Sequence, residues 1–306
     1  MTAPHLVLVG PTASGKSAVA LEIARRHPRV ELVSVDSMQV YRGMDVGTAK
    51  PSAADRAAVR HHVVDLVEPT EDYSVARFQR AVYDALSDIE RRGSVAVLVG
   101  GTGLYVRAIV DDLEIPGQFE AARHGIEAEP DTPALHARLA ALDPVAAARM
   151  EPTNRRRVVR ALEVTVGSGR PFSSYGPGLD AYPPLDRFHL AGIAVSRDVL
   201  TARIAARFEA MLDCGLLDEV RELARRHDGR LSRTARQALG YRELLRHVED
   251  GAPLDDVVAE AIQRTRTFAV RQERWFRRDP RIHWYDGDDG NAVALADRVL
   301  GDWSPA

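Results

Sequence analysis

The chain has 306 residues, 45% of them apolar and 28% charged, a composition typical of a globular protein. Its length exceeds that of one ordinary hydrophobic core, so we expect a large domain with an insertion or two unequal domains. A formal net charge of −3 excludes a global field that attracts nucleic acid, and the single cysteine, Cys214, excludes internal disulfides and cysteine-cluster metal sites. No apolar run is long enough to span a membrane and no basic segment precedes an apolar one near the start, so we expect a cytoplasmic protein without a membrane partner.

The first third of the chain predicts an α/β fold with a parallel sheet and helices on both faces, because short apolar strands alternate with amphipathic helices. The strands are predicted at residues 5–9, 31–35, 62–65 and 94–99. The helices between them are predicted at residues 16–26, 56–60 and 74–91. Ligands of such sheets bind at the carboxyl ends of the strands, so the polar segments that follow the strands are candidate site segments.

The middle of the chain, residues 116–187, loses the strand pattern and is predicted to be a helical insertion domain. Strand character returns at residues 189–195, long helical patterns follow over residues 197–277, and a last strand is predicted at residues 282–285. We therefore expect a core built from residues 1–115 and residues 188–306, the second part largely helical, with the insertion between them.

The segment after the first strand predicts a phosphate-binding loop. It reads Gly10-Pro11-Thr12-Ala13-Ser14-Gly15-Lys16-Ser17. Its glycines allow backbone N–H groups to surround an anion at the start of the next helix, Lys16 adds a compact charge, and Ser17 offers a hydroxyl to Mg²⁺. Lys16 is one of only two lysines among 41 basic residues, which suggests that the broader arginine fork does not fit there. The loop predicts a P-loop NTPase-like core and, taken alone, an ATP-using enzyme.

Two other segments follow predicted strands. Asp36 ends the second strand and is suited to coordinate a metal ion, to accept a proton, or merely to cap the next turn. Gly100-Gly101-Thr102-Gly103 follows the fourth, where backbone donors and the Thr102 hydroxyl could bind a phosphate or a base, although a tight turn capped by Thr102 explains the pattern nearly as well. The second lysine, Lys50, lies in a further loop as a solvated turn residue or a substrate contact.

Two arginine-rich segments are candidate RNA contacts. Residues 154–163 place Arg156 and Arg160 four apart on one helix face beside Arg157, and residues 263–278 hold six arginines and three aromatics. Basic side chains near aromatic rings suit single-stranded RNA, although a solvated basic face is the usual explanation of either segment alone. Their joint presence in a slightly acidic chain favours RNA.

Taken together, these segments resemble the bacterial tRNA dimethylallyltransferase (tRNA isopentenyltransferase) family nearly end to end. The resemblance is carried by residues 10–17, 34–41, 43–51, 100–105, 160–164, 215–221, 238–242 and 265–276. It implies transfer of a dimethylallyl group from dimethylallyl diphosphate to the N6 amine of the adenosine next to the anticodon. The loop then holds a diphosphate that leaves intact, rather than a nucleotide whose phosphoryl group moves.

The resemblance also implies roles for individual residues. Asp36 accepts the amine proton, Thr102 supports it, and Lys16, Arg221 and Mg²⁺ near Ser17 stabilise the departing diphosphate. The implied contacts with the anticodon stem-loop of tRNA are Asp36, Ser37, Met38, Gln39, Thr102, Arg123, Arg156, Arg157, Val158, Val159, Arg160, Gln237, Ala238, Leu239, Gly240, Tyr241 and Arg242. We expect a monomer. A nucleotide kinase or adenylate prenyltransferase of the same architecture is the alternative.

Overall fold

The computed structural model describes residues 4–179, 181–226 and 228–305. Residues Asp111–Pro183 form one compact unit, and the chain on either side of that segment forms the other. These boundaries differ by a few residues from those expected at 115/116 and 187/188. Within the described ranges, no helix is both long enough and apolar enough to cross a lipid bilayer.

The larger unit begins with the alternation that the sequence predicts. Its first elements are β1 (His5–Val9), α1 (Lys16–Arg26), β2 (Val30–Val35), α2 (Ala53–Ala58), β3 (His61–His62), α3 (Val75–Arg91), β4 (Val95–Gly100) and α4 (Gly103–Val110). β1 and α1 have the bounds predicted for them. β3 ends earlier than predicted because Val63 and Asp65 adopt left-handed φ angles of 62° and 58°, which no extended strand accommodates.

The smaller unit is helical. It contains α5 (Glu120–Glu127), α6 (Thr132–Leu142), α7 (Pro144–Ala148), α8 (Arg155–Ser168) and a 3₁₀ turn at Phe172–Tyr175. Ile126, Leu139 and Leu162 are buried at the centre of this unit, so its helices pack around a core of their own. A helical segment between two strands of one sheet is what the sequence predicts for this region.

The chain then returns to the sheet. It forms β5 (Phe188–Ala194), α9 (Arg197–Asp213), α10 (Leu216–Arg226), α11 (Arg233–Arg236), α12 (Tyr241–Asp250), α13 (Leu254–Phe276), β6 (His283–Asp286) and α14 (Ala292–Asp302). The strands pair in parallel in the order β3-β2-β4-β1-β5-β6. β1 therefore lies between β4 and β5, so the segments that follow these strands meet at one edge of the sheet.

Helices cover both faces of this sheet, as predicted. Val7 and Val33 point to the face packed by α3, whereas Leu6 and Leu32 point to the face packed by α1 and α14. Neighbouring residues of a strand alternate between faces, which explains why these strands read as continuous apolar runs. The fold class is the predicted α/β, P-loop-like one.

Candidate active site

The phosphate-binding loop connects β1 to the start of α1. Gly15 precedes the helix with a left-handed φ of 89°, a conformation that glycine adopts without steric cost. The Ser14 hydroxyl is buried with no hydrogen-bond partner among the described residues, and Lys16 Nζ donates to the Pro11 carbonyl at 3.2 Å. Because the first N–H groups of α1 have no partner within the helix, the loop is suited to bind an anion.

A second cation, Arg207 on α9, lies beside the loop. Its Nη1 donates to Thr12 Oγ1 at 3.3 Å. Burial, and to a smaller extent the charge of Arg207, lower the pKa of Lys16 to about 8, while Asp36 opposes this shift. Burial also lowers the pKa of Arg207, again against the effect of Asp36. Two neighbouring cations, Lys16 and Arg207, therefore lie near one carboxylate, that of Asp36. A bound anion would neutralise the excess positive charge.

Asp36 and Thr102 are close because β2 and β4 are neighbours whose carboxyl ends coincide. Asp36 Oδ1 accepts a hydrogen bond from the backbone N–H of Met38 at 2.8 Å. Thr102 Oγ1 accepts one from the N–H of Ser37 at 3.4 Å. Asp36 therefore does cap its own turn, which occupies one carboxylate oxygen and leaves the other for chemistry.

Gln272 on α13 braces the loop against the glycine-rich turn. Its Oε1 accepts from the Thr12 N–H and its Nε2 donates to the Gly101 carbonyl, both at 2.8 Å. A Cβ on Gly101 would lie 2.3 Å from Gln272 Nε2, and one on Gly103 would lie 2.2 Å from the Trp275 ring. These glycines are therefore needed for the close approach of α13, a reason that the sequence pattern alone does not reveal.

A cavity of about 500 Å³ opens between these elements. Its lining includes the polar and charged residues Thr12, Asp36, Arg207, Arg264 and Arg271. The apolar and aromatic residues of the lining include Met38, Leu104, Phe208, Met211, Leu216, Phe268 and Trp275. A lining that combines charged with apolar side chains suits a ligand that carries both an anionic group and a hydrocarbon or a base.

Glu219 on α10 holds the loop of residues 43–51 against this cavity. Its Oε2 accepts from the N–H groups of Asp45 and Val46 at 2.8 Å, and its Oε1 accepts from the Tyr241 hydroxyl at 2.5 Å. Lys50 holds the same loop, since its ammonium donates to Asp45 at 2.7 Å and to Asp65 at 2.6 Å. The side chain of Lys50 is only 1% exposed, so the prediction of a solvated turn residue is wrong.

The predicted residues of the larger unit fall into two groups, and Thr12 is the one residue of the phosphate-binding loop that lines the cavity in the described part of the chain. Those that line the cavity are Thr12, Asp36, Ser37, Met38, Thr102, Gln237, Ala238, Leu239 and Tyr241. Gln39 does not, because its Nε2 donates to the carbonyls of Thr48 and Ala49. Gly240 is buried behind the wall, and Arg242 is exposed outside it. Tyr241 is only 1% exposed and so offers little surface to a substrate.

Arg221 requires a correction. The structure does not bring it to the cavity: its Nη1 pairs with Asp218 at 2.9 Å, and its side chain is 54% exposed. The buried face of α10 carries Val220 and Leu223 instead, and the helical period directs Arg221 away from them. The guanidinium beside the phosphate loop belongs to Arg207.

The predicted RNA contacts of the helical unit also divide. Arg156 and Arg157 are exposed on α8, and Arg123 pairs with Glu127 at 2.9 Å. Val158 and Val159 are buried in the core of this unit, so their side chains cannot contact RNA, contrary to the expectation. Arg160 donates to the Pro116 carbonyl at 2.8 Å and pairs with the buried Glu163 at 2.6 Å, which ties residue 116 to α8.

Sequence reasoning missed Arg207 and Gln272 as site residues. Gln272 stands within the late arginine-rich motif, so a signal was present. The only signal for Arg207 is its helical spacing from Leu200 and Ile204, which lie seven and three residues before it and place it on the inner face of α9. That spacing predicts that Arg207 points toward the core side of α9, but it does not predict that Arg207 lies beside the phosphate-binding loop.

Comparisons with known proteins cover the whole of this arrangement. Residues 39–279 match the family model described as IPP transferase. The chain is 49% identical to the tRNA dimethylallyltransferase of Kineococcus radiotolerans, over 97% of this chain and 95% of that protein. It is 46% identical to that of Acidothermus cellulolyticus, over 97% and 93%. The solved tRNA isopentenylpyrophosphate transferase of Bacillus halodurans is 35% identical, with a TM-score of 0.69, over 98% of this chain and 96% of that chain.

Proposed function

Because this chain belongs to the IPP transferase family, we propose that it transfers a dimethylallyl group from dimethylallyl diphosphate to the N6 amine of the adenosine on the 3′ side of the anticodon in tRNA, releasing diphosphate. The observation that carries the proposal is the pairing of an anion-binding end with one carboxylate in a single cavity. Thr12 of the phosphate-binding loop and Arg207 line that cavity together with Asp36, which is the carboxylate, and Lys16 belongs to the same loop.

The transfer breaks the bond between the allylic carbon and the diphosphate oxygen. The electron pair of that bond leaves with the diphosphate, where Lys16, Arg207 and the N–H groups of the loop stabilise the added charge. The allylic carbon carries positive charge in the transition state, and the apolar walls keep water from it. The adenine amine then supplies the electron pair of the new C–N bond.

The amine is a poor nucleophile because its lone pair is delocalised into the adenine ring. It must lose a proton as the new bond forms, and Asp36 is the carboxylate beside the cavity that can accept it. Thr102 Oγ1 holds the turn that carries Asp36 through the Ser37 N–H. The adenine must leave the stack of the anticodon loop to reach this carboxylate, at a cost of about a few kcal/mol.

A magnesium ion fits the donor set of this site. The Ser17 hydroxyl, exposed at the start of α1, is a hard ligand of the kind that Mg²⁺ prefers. No group of three His, Cys, Asp or Glu side chains that could hold a metal occurs in the described ranges, so the ion would take most of its ligands from the diphosphate and water. When bound, it neutralises charge on the leaving diphosphate.

Each unit, taken separately, carries residues that are consistent with the predicted RNA contacts. In the larger unit, Ser37, Met38 and the turn from Gln237 to Leu239 line the cavity that receives the adenine. In the helical unit, Arg156 and Arg157 are exposed and suited to phosphates. Both parts belong to the proposal, and the named relatives favour tRNA over a free nucleotide as the acceptor.

The proposed function is tested by an incubation with tRNA and by a parallel incubation in which AMP replaces the tRNA. The protein, unmodified tRNA, Mg²⁺ and dimethylallyl diphosphate are combined, and diphosphate release and prenylated adenosine in the digested tRNA are measured. We expect both products in equal amounts. Prenylation of free AMP but not of tRNA would identify an adenylate prenyltransferase. The absence of both products, diphosphate and prenylated adenosine, would contradict the proposal.

The role of Arg207 is tested against that of Arg221. We expect Arg207→Ala to lower turnover by about 10²-fold, because it removes a donor to the leaving group. Arg221→Ala removes only an exposed pair with Asp218 and should change turnover less than about threefold. Steady-state kinetics with both substrates saturating checks this, and the reverse ranking would return the diphosphate role to Arg221.

A further inference from the structure

A buried carboxylate beneath the cavity wall, that of Glu243, takes no part in the transfer chemistry. It is fully buried. Its Oε1 accepts a hydrogen bond from Arg264 Nη1 at 2.6 Å, and its Oε2 accepts one from the Gly240 N–H at 2.9 Å. Because a buried carboxylate is costly unless it is paired and hydrogen-bonded, these bonds fix the positions of both donors.

Both donors are connected to the cavity. Arg264 lines it directly, and Gly240 ends the turn whose residues Gln237 and Leu239 line it too. Gly240 has a left-handed φ of 85° and stands immediately before α12. A single carboxylate therefore fixes a guanidinium on α13 and a turn of the cavity wall relative to each other.

Arg264 also belongs to a face of α13 that suits RNA. Arg264, Phe268, Arg271 and Trp275 recur at helical spacing and all line the cavity. The guanidinium of Arg271 lies 5.8 Å from the centroid of the Phe268 ring. Alternating basic and aromatic side chains provide charge for phosphates and flat surfaces for bases. The buried positions of α13 include Ala261 and Ala269, and Trp275 packs partly against the core, whereas Phe268 belongs to neither hydrophobic core of the larger unit.

We propose that Arg264 contacts the RNA backbone next to the target adenosine and that Glu243 is the residue that positions it. Glu243, at 2.6 Å, and Glu260, at 3.9 Å, both face Nη1, so within the described part of the chain the donors on Nε and Nη2 are available to a phosphate. Lys16 and Arg207 serve the diphosphate at the loop, whereas Arg264 stands beside the turn from Gln237 to Leu239. The inference rests on the proposed function, because it requires an RNA substrate.

The test compares Arg264→Gln with a matched control, Arg246→Gln. Arg246 is exposed on the adjacent helix α12 and does not line the cavity, so its loss removes the same charge elsewhere. Its partner Glu260 also lies 3.9 Å from Arg264 Nη1, but the 2.6 Å bond from Arg264 to Glu243 does not involve Arg246 or Glu260. We expect Arg264→Gln to raise the KM for tRNA about 5- to 50-fold and to reduce the salt dependence of tRNA binding by about one phosphate contact. The KM for dimethylallyl diphosphate, and both KM values of Arg246→Gln, should stay within about twofold of the wild-type values.

Two further variants separate RNA contact from a structural role, because Arg264→Gln alone leaves Glu243 buried without its partner. The double variant Glu243→Gln/Arg264→Gln removes both charges and should recover thermal stability while the KM for tRNA stays raised. Arg264→Lys keeps a charge for Glu243 but loses the planar fork, and should raise the KM for tRNA by a smaller factor.

Two results would overturn the inference: a wild-type KM for tRNA in the double variant, or equal effects of Arg264→Gln and Arg246→Gln. The first would mean that Arg264 only neutralises Glu243. Failure of the proposed function is distinguishable from either result, because the wild-type protein would then form no prenylated adenosine in tRNA at all.

Discussion

Replacing Asp36 with alanine is expected to lower turnover by about 10²–10⁴-fold, the range typical of a positioned proton acceptor. Asp36 lies at the cavity, and its Oδ1 is held by the Met38 N–H at 2.8 Å, which leaves Oδ2 for the amine proton. Binding of dimethylallyl diphosphate should change little, because cations and backbone N–H groups hold the diphosphate. Single-turnover formation of prenylated adenosine, with donor affinity measured separately, distinguishes the two effects.

Asp36→Asn is the matched control for this prediction. Its amide oxygen can still accept the Met38 N–H, so the turn persists, but the amide cannot take a proton from the amine. We expect the asparagine variant to lose as much turnover as the alanine variant. Wild-type turnover in Asp36→Asn would refute the role as proton acceptor and would restrict Asp36 to holding its turn.

The second large effect is expected for Lys16→Ala, which should lower turnover by about 10²–10³-fold because it removes a charged donor to the leaving diphosphate. Lys16 follows Gly15 at the start of α1, so its charge adds to that of the helix N-terminus. The loss should be seen in single-turnover kinetics and in weaker donor binding. Full activity of the alanine variant would contradict the role.

The pH dependence gives Lys16 a second signature. Burial and Arg207 lower the pKa of Lys16 to about 8, so its ammonium is charged below that pH and loses its proton as the pH rises through it. We expect kcat/KM for dimethylallyl diphosphate, which reports the free enzyme, to fall above about pH 8. Arginine does not titrate in this range, so the remaining kcat/KM of Lys16→Arg should not fall as the pH rises through this range. A fall near the same pH in Lys16→Arg would assign it to another group.

Asp36 offers a check on that assignment. Its charge raises the pKa of Lys16 against the effects of burial and Arg207. Removing the charge in Asp36→Asn should therefore move the fall in kcat/KM to lower pH, on top of the lower turnover. Measuring the profile in both variants tests whether the two residues interact in the free protein.

Local signals were sufficient for the core of the fold. The run from His5 to Val9 is buried along its whole length, and the loop with Gly15 allows only one kind of connection to the helix that follows. For that reason β1 and α1 have the bounds that the sequence predicts. The ordered motifs likewise identified the family, which the matched family model and the relatives confirm.

Predictions from short sequence patterns were wrong where contacts with residues distant in the chain determine the structure. The residues after His62 look like a strand, but Lys50 binds Asp65 and the backbone there turns through left-handed angles. Arg221 and Arg207 both lie on amphipathic helices, and the choice between them depends on which helix face packs beside the phosphate loop. Val158 and Val159 sit among arginines in sequence and yet pack in the core of the helical unit.

By itself, the sequence of this protein determined the parallel sheet, the phosphate loop with Lys16, and the meeting of Asp36 with Thr102, because apolar period, glycine placement and strand ends are properties of short segments. Only the tertiary structure decided that Arg207 supplies the second cation, that Gln272 joins Thr12 to Gly101, and that Glu243 holds Arg264 at the cavity. The bond from Thr12 to Gln272 spans 260 residues, and Glu243 and Arg264 are 21 residues apart on different helices. Contacts of that kind depend on how helices pack on the sheet, which no local pattern encodes.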